Sequence, residues 1–265
     1  MRSAVLVLLA ACGSAAVPVA PANSSSSTGA APNVDVTKLG GLVLVPSVGK
    51  NSITYAPHAD AFAFDTNKVA PTGSLWSLVG TDSTRLDVKA AALTSLPYGC
   101  DNNQLEGMPL VPTSAAARLP AGVAWMMPAS ATWKVQALPI ARGTHNVVHE
   151  TYTVGDMTLA LERTEPSKGV AKLQNRGDVV ELTTFQRVLM DGAEPSLATI
   201  DFSDPDMRLQ IPVPVAAWAL SPSGPYLIVL HTSGFEGASL ETFLVEPRRA
   251  TKIESMAVYL YQCAF

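Results

Sequence analysis

From Leu39 onward, apolar and polar positions alternate with a period near two, in runs of four to eight residues bounded by turn-forming residues. That is the pattern of half-buried β-strands. The runs cover 42–46, 52–55, 61–65, 74–79, 85–90, 123–127, 132–138, 147–154, 157–163, 170–174, 179–189, 197–202, 208–213, 216–220, 226–232, 240–246 and 255–262. Gly155-Asp156 separates two alternating runs by the two residues a hairpin needs, with Gly to supply a positive φ, and Asn175-Arg176-Gly177-Asp178 marks a second hairpin. A helix competes only at 83–96 and 114–119, where Ala and Leu recur without clear β-branching. Pro109, Pro112, Pro120 and Pro128 punctuate 108–128, which reads as a long connection where two lobes would divide. The expected fold class is all-β.

Laying the strand groups over one another brings out a repeat. Near the C-terminus, Ala217-Trp218-Ala219-Leu220-Ser221-Pro222-Ser223-Gly224 leads to Tyr226-Leu227-Ile228-Val229-Leu230-His231 and then to Leu240-Glu241-Thr242-Phe243-Leu244-Val245-Glu246. Near the N-terminus, Ala61-Phe62-Ala63-Phe64-Asp65-Thr66 leads through Gly73 to Leu75-Trp76-Ser77-Leu78-Val79-Gly80 and then to Thr84-Arg85-Leu86-Asp87-Val88, and a shorter copy occupies 197–211. The Ser-Pro-Ser-Gly unit followed by Tyr-Leu-Ile-Val-Leu is similar to the signature of β-propeller blades, in which a Ser-Pro-Asp-Gly turn joins the second and third strands. Ser223 stands where that family prefers Asp, and no blade-terminal Trp-Asp occurs. The resemblance implies a propeller-like fold of short four-stranded blades. The alternative is a β-sandwich, or two stacked β-lobes, in which Ser-Pro-Ser-Gly is an ordinary turn.

Composition agrees with strands and turns. Hydrophobic residues make up 48% and charged residues only 15%, with 18 Gly and 20 Pro. A net charge of -4 offers no basic field for nucleic acid, which is excluded as a main partner, and no polybasic stripe for anionic lipid.

Before Leu39 the pattern changes. Arg2 is followed by an apolar run over 4–9 and by the small residues Ala10 and Ala11. Leu9-Ala10-Ala11-Cys12, with Gly13-Ser14 behind it, resembles a bacterial lipobox. The resemblance covers twelve of 265 residues. It implies removal of 1–11 as a signal peptide and diacylation of Cys12, with palmitate among the acyl chains, so that the mature chain is lipid-anchored in the bacterial envelope, facing the periplasm or the cell surface. A spanning helix is the alternative, but roughly nine residues at about 1.5 Å each fall well short of a hydrocarbon core of about 30 Å. Residues 12–37 read as a flexible tether, with Pro18, Pro21 and Pro32 around the polar run Asn23-Ser24-Ser25-Ser26-Ser27-Thr28. Such a coil holds its cargo about 25 to 30 Å from the membrane. An ordered first strand is the other reading. Residues 38–265 are left for the β-rich domain.

With Cys12 assigned to the lipid, Cys100 and Cys263 form an even pair in an oxidising compartment. They are expected to be bonded, a closure that stabilises by about 5 kcal/mol on the chain-entropy model, less any strain. Two unpaired buried thiols are the alternative. No Cys-x-x-Cys occurs, so neither a redox motif nor a cysteine zinc site is supported.

Four groups of residues resemble fragments of catalytic or metal motifs. His145-Asn146-Val147-Val148-His149-Glu150 has two histidines four apart, which on a helix would meet at one cation. Val147, Val148, Thr151, Tyr152 and Thr153 favour a strand instead, which separates the pair by about 13 Å. His58 and His231 are isolated and read as structural. Ser47-Val48-Gly49-Lys50 matches the Ser-x-x-Lys of penicillin-recognising serine enzymes, but it lies between strand-like runs and lacks the companion Ser-Asp-Asn and Lys-Thr-Gly. Gly237-Ala238-Ser239-Leu240-Glu241 lacks the closing glycine of a nucleophile elbow. The oxygen-rich stretches Asp101-Asn102-Asn103-Gln104-Leu105-Glu106 and Asp201-Phe202-Ser203-Asp204-Pro205-Asp206 lack the Gly and Glu of a calcium loop and read as solvated turns.

The expected function is therefore a membrane-anchored envelope lipoprotein with a non-catalytic binding or scaffold domain for a protein or glycan partner. No catalytic residue, cofactor or metal ligand is assigned. The alternative is an envelope hydrolase or lyase acting on sugar or peptide, with its residues gathered from distant parts of the chain.

Overall fold

The computed structural model describes residues 39–45, 54–55, 71–98, 103–114, 118–145, 149–165, 168–186, 211–233 and 238–258. These form seventeen strands and no helix. The first sheet contains β1 (Gly41–Val45), β2 (Thr54–Tyr55), β3 (Leu75–Gly80), β4 (Arg85–Ala90), β5 (Thr94–Tyr98), β6 (Asn103–Pro112) and β7 (Gly122–Pro128), in the order β2-β1-β7-β3-β4-β6-β5. Thr54 also lies opposite Pro109 and Tyr55 opposite Met108, so the sheet curls until β2 joins β6. The strand β8 (Gln136–Ala137) leaves this sheet for another. A five-stranded meander follows: β9 (Ile140–His145), β10 (His149–Val154), β11 (Met157–Glu165), β12 (Lys168–Asn175) and β13 (Asp178–Gln186). The last strands, β14 (Val213–Ala219), β15 (Tyr226–Ser233), β16 (Ala238–Glu246) and β17 (Arg249–Val258), form a second meander with β8 on its edge.

This second meander is the middle layer, buried on both faces. One face puts Trp218, Leu227, Val229, Leu240 and Leu244 against Leu42, Val79, Trp125 and Met127 of the curled sheet. The other puts Ala217, Ile228, Leu230, Phe243 and Val245 against Tyr152, Leu159, Leu161 and Leu173 of the five-stranded meander. Double burial is why Leu227-Ile228-Val229-Leu230 is a continuous apolar run. Each such side chain contributes about 1.5 to 3 kcal/mol by leaving water. By contrast β4 alternates strictly, with Leu86, Val88 and Ala90 inside the curl beside Trp76, Met108 and Met126, and Arg85, Asp87 and Lys89 outside.

The all-β expectation holds in its layered form, with sheets stacked face to face. The N-terminal copy of the repeat is not a blade: β3 has β7 on one side and β4 on the other, and β4 pairs next with β6, so sequence neighbours do not follow one another across the sheet as a blade requires. Ser221-Pro222-Ser223-Gly224 is the turn between β14 and β15, closed by Gly224 N–H donating to Ser221 O. Both anticipated hairpins form, with Gly155-Asp156 between Val154 and Met157, and Arg176-Gly177 between Asn175 and Asp178. Gly155 has φ 58°, and Arg176 and Gly177 have φ 50° and 94°, the backbone such two-residue loops demand. Residues 83–96 hold β4 and part of β5 rather than a helix, because their apolar side chains fill one face of a pleat. Within 108–128, Pro109 and Pro112 belong to β6 and Pro128 to β7. Cys12, Cys100 and Cys263 lie outside the described residues, as do runs 61–65 and 197–202.

Candidate functional site

Among the described residues, a group of interacting polar side chains lies on β9 and β10 at the edge of the five-stranded meander. Arg142 is opposite Tyr152 and His145 is opposite Glu150, and the register shifts between these two pairs. A bulge of this kind re-aims side chains. Glu150 is turned inward and only 2% exposed. Its Oε1 accepts from Arg142 Nε at 2.7 Å and from the Tyr152 hydroxyl at 2.7 Å. Its Oε2 lies 3.5 Å from His145 Nδ1. Arg142 Nη2 stands 2.8 Å from the same Nδ1. A guanidinium has only N–H donors, so at this contact the ring nitrogen is the acceptor.

The Glu150 carboxylate is thus engaged within the hairpin by Arg142 and Tyr152, which ties the three side chains together at the sheet edge.

The histidine pair differs from its expected placement. His145 ends β9 and His149 opens β10, so the chain reverses between them instead of running extended. His149 is opposite Glu162 on β11, and Glu162 Oε2 accepts from Lys172 Nζ at 2.6 Å. Among the described residues no three His, Cys, Asp or Glu side chains converge as a metal site. His231 sits on β15, where burial pushes its imidazole pKa down. Ser239 is on β16 opposite Thr232, and Glu241 is paired with Lys252 at 3.0 Å. Ser47, Lys50, His58, Asp101, Asn102, Gly237 and 201–206 lie outside the described residues, as do the side chains of 103–106.

Arg142, Tyr152 and Glu254 were not singled out from sequence. Only the hairpin register brings Arg142 and Tyr152 to Glu150, and no local pattern marks a carboxylate that will be buried. Among the described residues no helix is long and apolar enough to cross a membrane. Comparison of the chain with protein-family models, curated proteins and solved structures gives no match.

Proposed function

We propose that this chain is a lipid-anchored protein of the bacterial cell envelope whose β-rich domain is a non-catalytic module that binds a protein or glycan partner. Leu9-Ala10-Ala11-Cys12 and the polar tether behind it support the anchor. The engagement of Glu150 by both Arg142 and Tyr152 supports the non-catalytic part, since it gives the carboxylate beside His145 a structural role within the hairpin.

The test is expression of the full chain in a bacterial host with lipoprotein-processing enzymes, fed labelled palmitate. The wild type should take up label and sediment with membranes, whereas Cys12→Ala should do neither and should melt at the same temperature. A Cys12→Ala protein that still sediments or labels overturns the anchor. Loss of the cellular phenotype in His145→Ala at unchanged stability and localisation overturns the non-catalytic reading.

A further inference from the structure

Glu254 on β17 is opposite Thr242 on β16, beside the bulge at Ile253, which lies between the pairs Thr242–Glu254 and Phe243–Lys252. Its Oε2 accepts from the backbone N–H of Leu42 at 2.8 Å, a residue of the curled sheet. Among the described residues β1 pairs with β7 on one side and meets β2 at Leu44 on the other, with no strand partner at Leu42 on that side. Glu254 thus ties β1 to the middle sheet.

The joint is buried: Glu254 is 9% exposed and Thr242 0%. Leu42, Leu240, Leu244 and Met256, on the same strands, belong to the apolar cluster between the curled and middle sheets. Both Glu254 Oε1 and Thr242 Oγ1 are buried without a hydrogen-bond partner. With Oε2 accepting, a protonated acid would carry its O–H on Oε1, and Thr242, whose hydroxyl is likewise unpartnered, is the residue opposite on β16. Burial pushes the carboxyl pKa up to about 8, against the smaller downward pull of the Leu42 N–H.

Among the described residues, no charge from the neighbouring elements compensates it. β1 and β7 carry no ionisable side chain. On β16 and β17, Glu241 pairs with Lys252 and Glu246 with Arg249. From β13, which also borders β17, Asp178 and Glu181 are exposed.

We propose that Glu254 is a proton-operated latch: as the neutral acid it holds the edge of β1 to the middle sheet, and the joint opens as the acid O–H gives its proton to solvent. Open, the carboxyl group regains its ordinary pKa of about 4.5; closed, it keeps its proton to about pH 8. Between these values opening becomes easier by about tenfold per pH unit, the slope for one released proton. Above pH 8 both forms are ionised, and the dependence ends.

Amide hydrogen exchange of the full chain from pH 5 to 9, corrected for intrinsic rates, tests this. Protection at Leu42 should fall about tenfold per pH unit to pH 8 and then level, always below that of Leu159 in the outer meander. In Glu254→Gln, which cannot ionise, the Leu42 profile should be flat. A flat wild-type profile, a slope that survives in Glu254→Gln, or Leu42 and Leu159 exchanging at one common protection, which is global unfolding, would each overturn the latch. Should Glu254→Gln fail to fold, the wild-type comparison of Leu42 with Leu159 decides alone.

Discussion

Trp125 and Trp218 meet where the curled sheet packs on the middle sheet, their ring centroids 6.2 Å apart and their planes inclined at 47°. Each indole N–H is buried and donates to a backbone carbonyl, Trp125 to Leu39 at 2.8 Å and Trp218 across the interface to Gly80 at 3.2 Å. A buried N–H left unpaired costs about 1 to 3 kcal/mol, so these two bonds also set where the rings can sit. The pair fixes the two layers in position as well as excluding water.

Trp218→Phe should therefore cost about 1 to 3 kcal/mol through the lost hydrogen bond and ring area, and Trp218→Ala about 3 to 5 kcal/mol. In a domain of this size that is a fall in melting temperature of roughly 2 to 4 °C per kcal/mol. Urea and thermal unfolding would measure it. A Trp218→Phe protein as stable as the wild type would show that the interface does not depend on the indole.

The Glu150 group makes a different forecast. Glu150→Ala removes a buried carboxylate that accepts from both Arg142 and Tyr152 and should cost about 1 to 3 kcal/mol. Because Arg142 is 41% exposed, its bond to Glu150 is partly screened, and a double-mutant cycle of Arg142→Ala with Glu150→Ala should give coupling toward the low end of about 0.5 to 3 kcal/mol. Coupling indistinguishable from zero would mean that the ion pair has no energetic role.

What could be read in advance divides along physical lines. β4, β7, β11, β15 and β16 were visible because each buries apolar side chains on a regular face. β9 is not, since Ile140–His145 is an edge strand whose inner residues 141–144 are all exposed, and exposure removes the alternation that betrays a strand. β6 was hidden by Pro109 and Pro112, which cannot donate to a ladder and so read as loop. The polar group is half legible: His145, His149 and Glu150 stand out in the sequence, but one extended strand over them does not give the pairing of β9 with β10 that sets His145 opposite Glu150. Pairing partners, which strand periodicity does not encode, brought Arg142 and Tyr152 to the same carboxylate.

The cysteine pair rests on compartment and parity alone. If Cys100 and Cys263 are bonded, labelling of the unfolded mature protein should find neither thiol, and reduction should cost about 2 to 5 kcal/mol. Two labelled sulfurs per chain would refute the bond.

Stability against pH brings Glu254 and His231 into opposition. Glu254 is raised by burial, so the folded state holds a proton that the unfolded chain gives up above about pH 4.5, and stability falls as pH rises until about 8. His231 is lowered by burial, so the unfolded chain takes a proton that the folded state refuses, and stability falls as pH drops below 6.5. Of the two, only Glu254 acts between pH 6.5 and 8, where the slope should approach, but not exceed, about 1.4 kcal/mol per unit. Urea unfolding across pH 5.5 to 9 should show that decline in the wild type, a flat profile over the same window in Glu254→Gln, and a variant more stable than the wild type at pH 8. His231→Gln should alter the profile only on its acid side. Wild-type and Glu254→Gln profiles that run parallel from pH 6.5 to 8 would mean that the carboxyl group ionises as readily folded as unfolded, and that its burial is relieved by some motion of the joint at neutral pH.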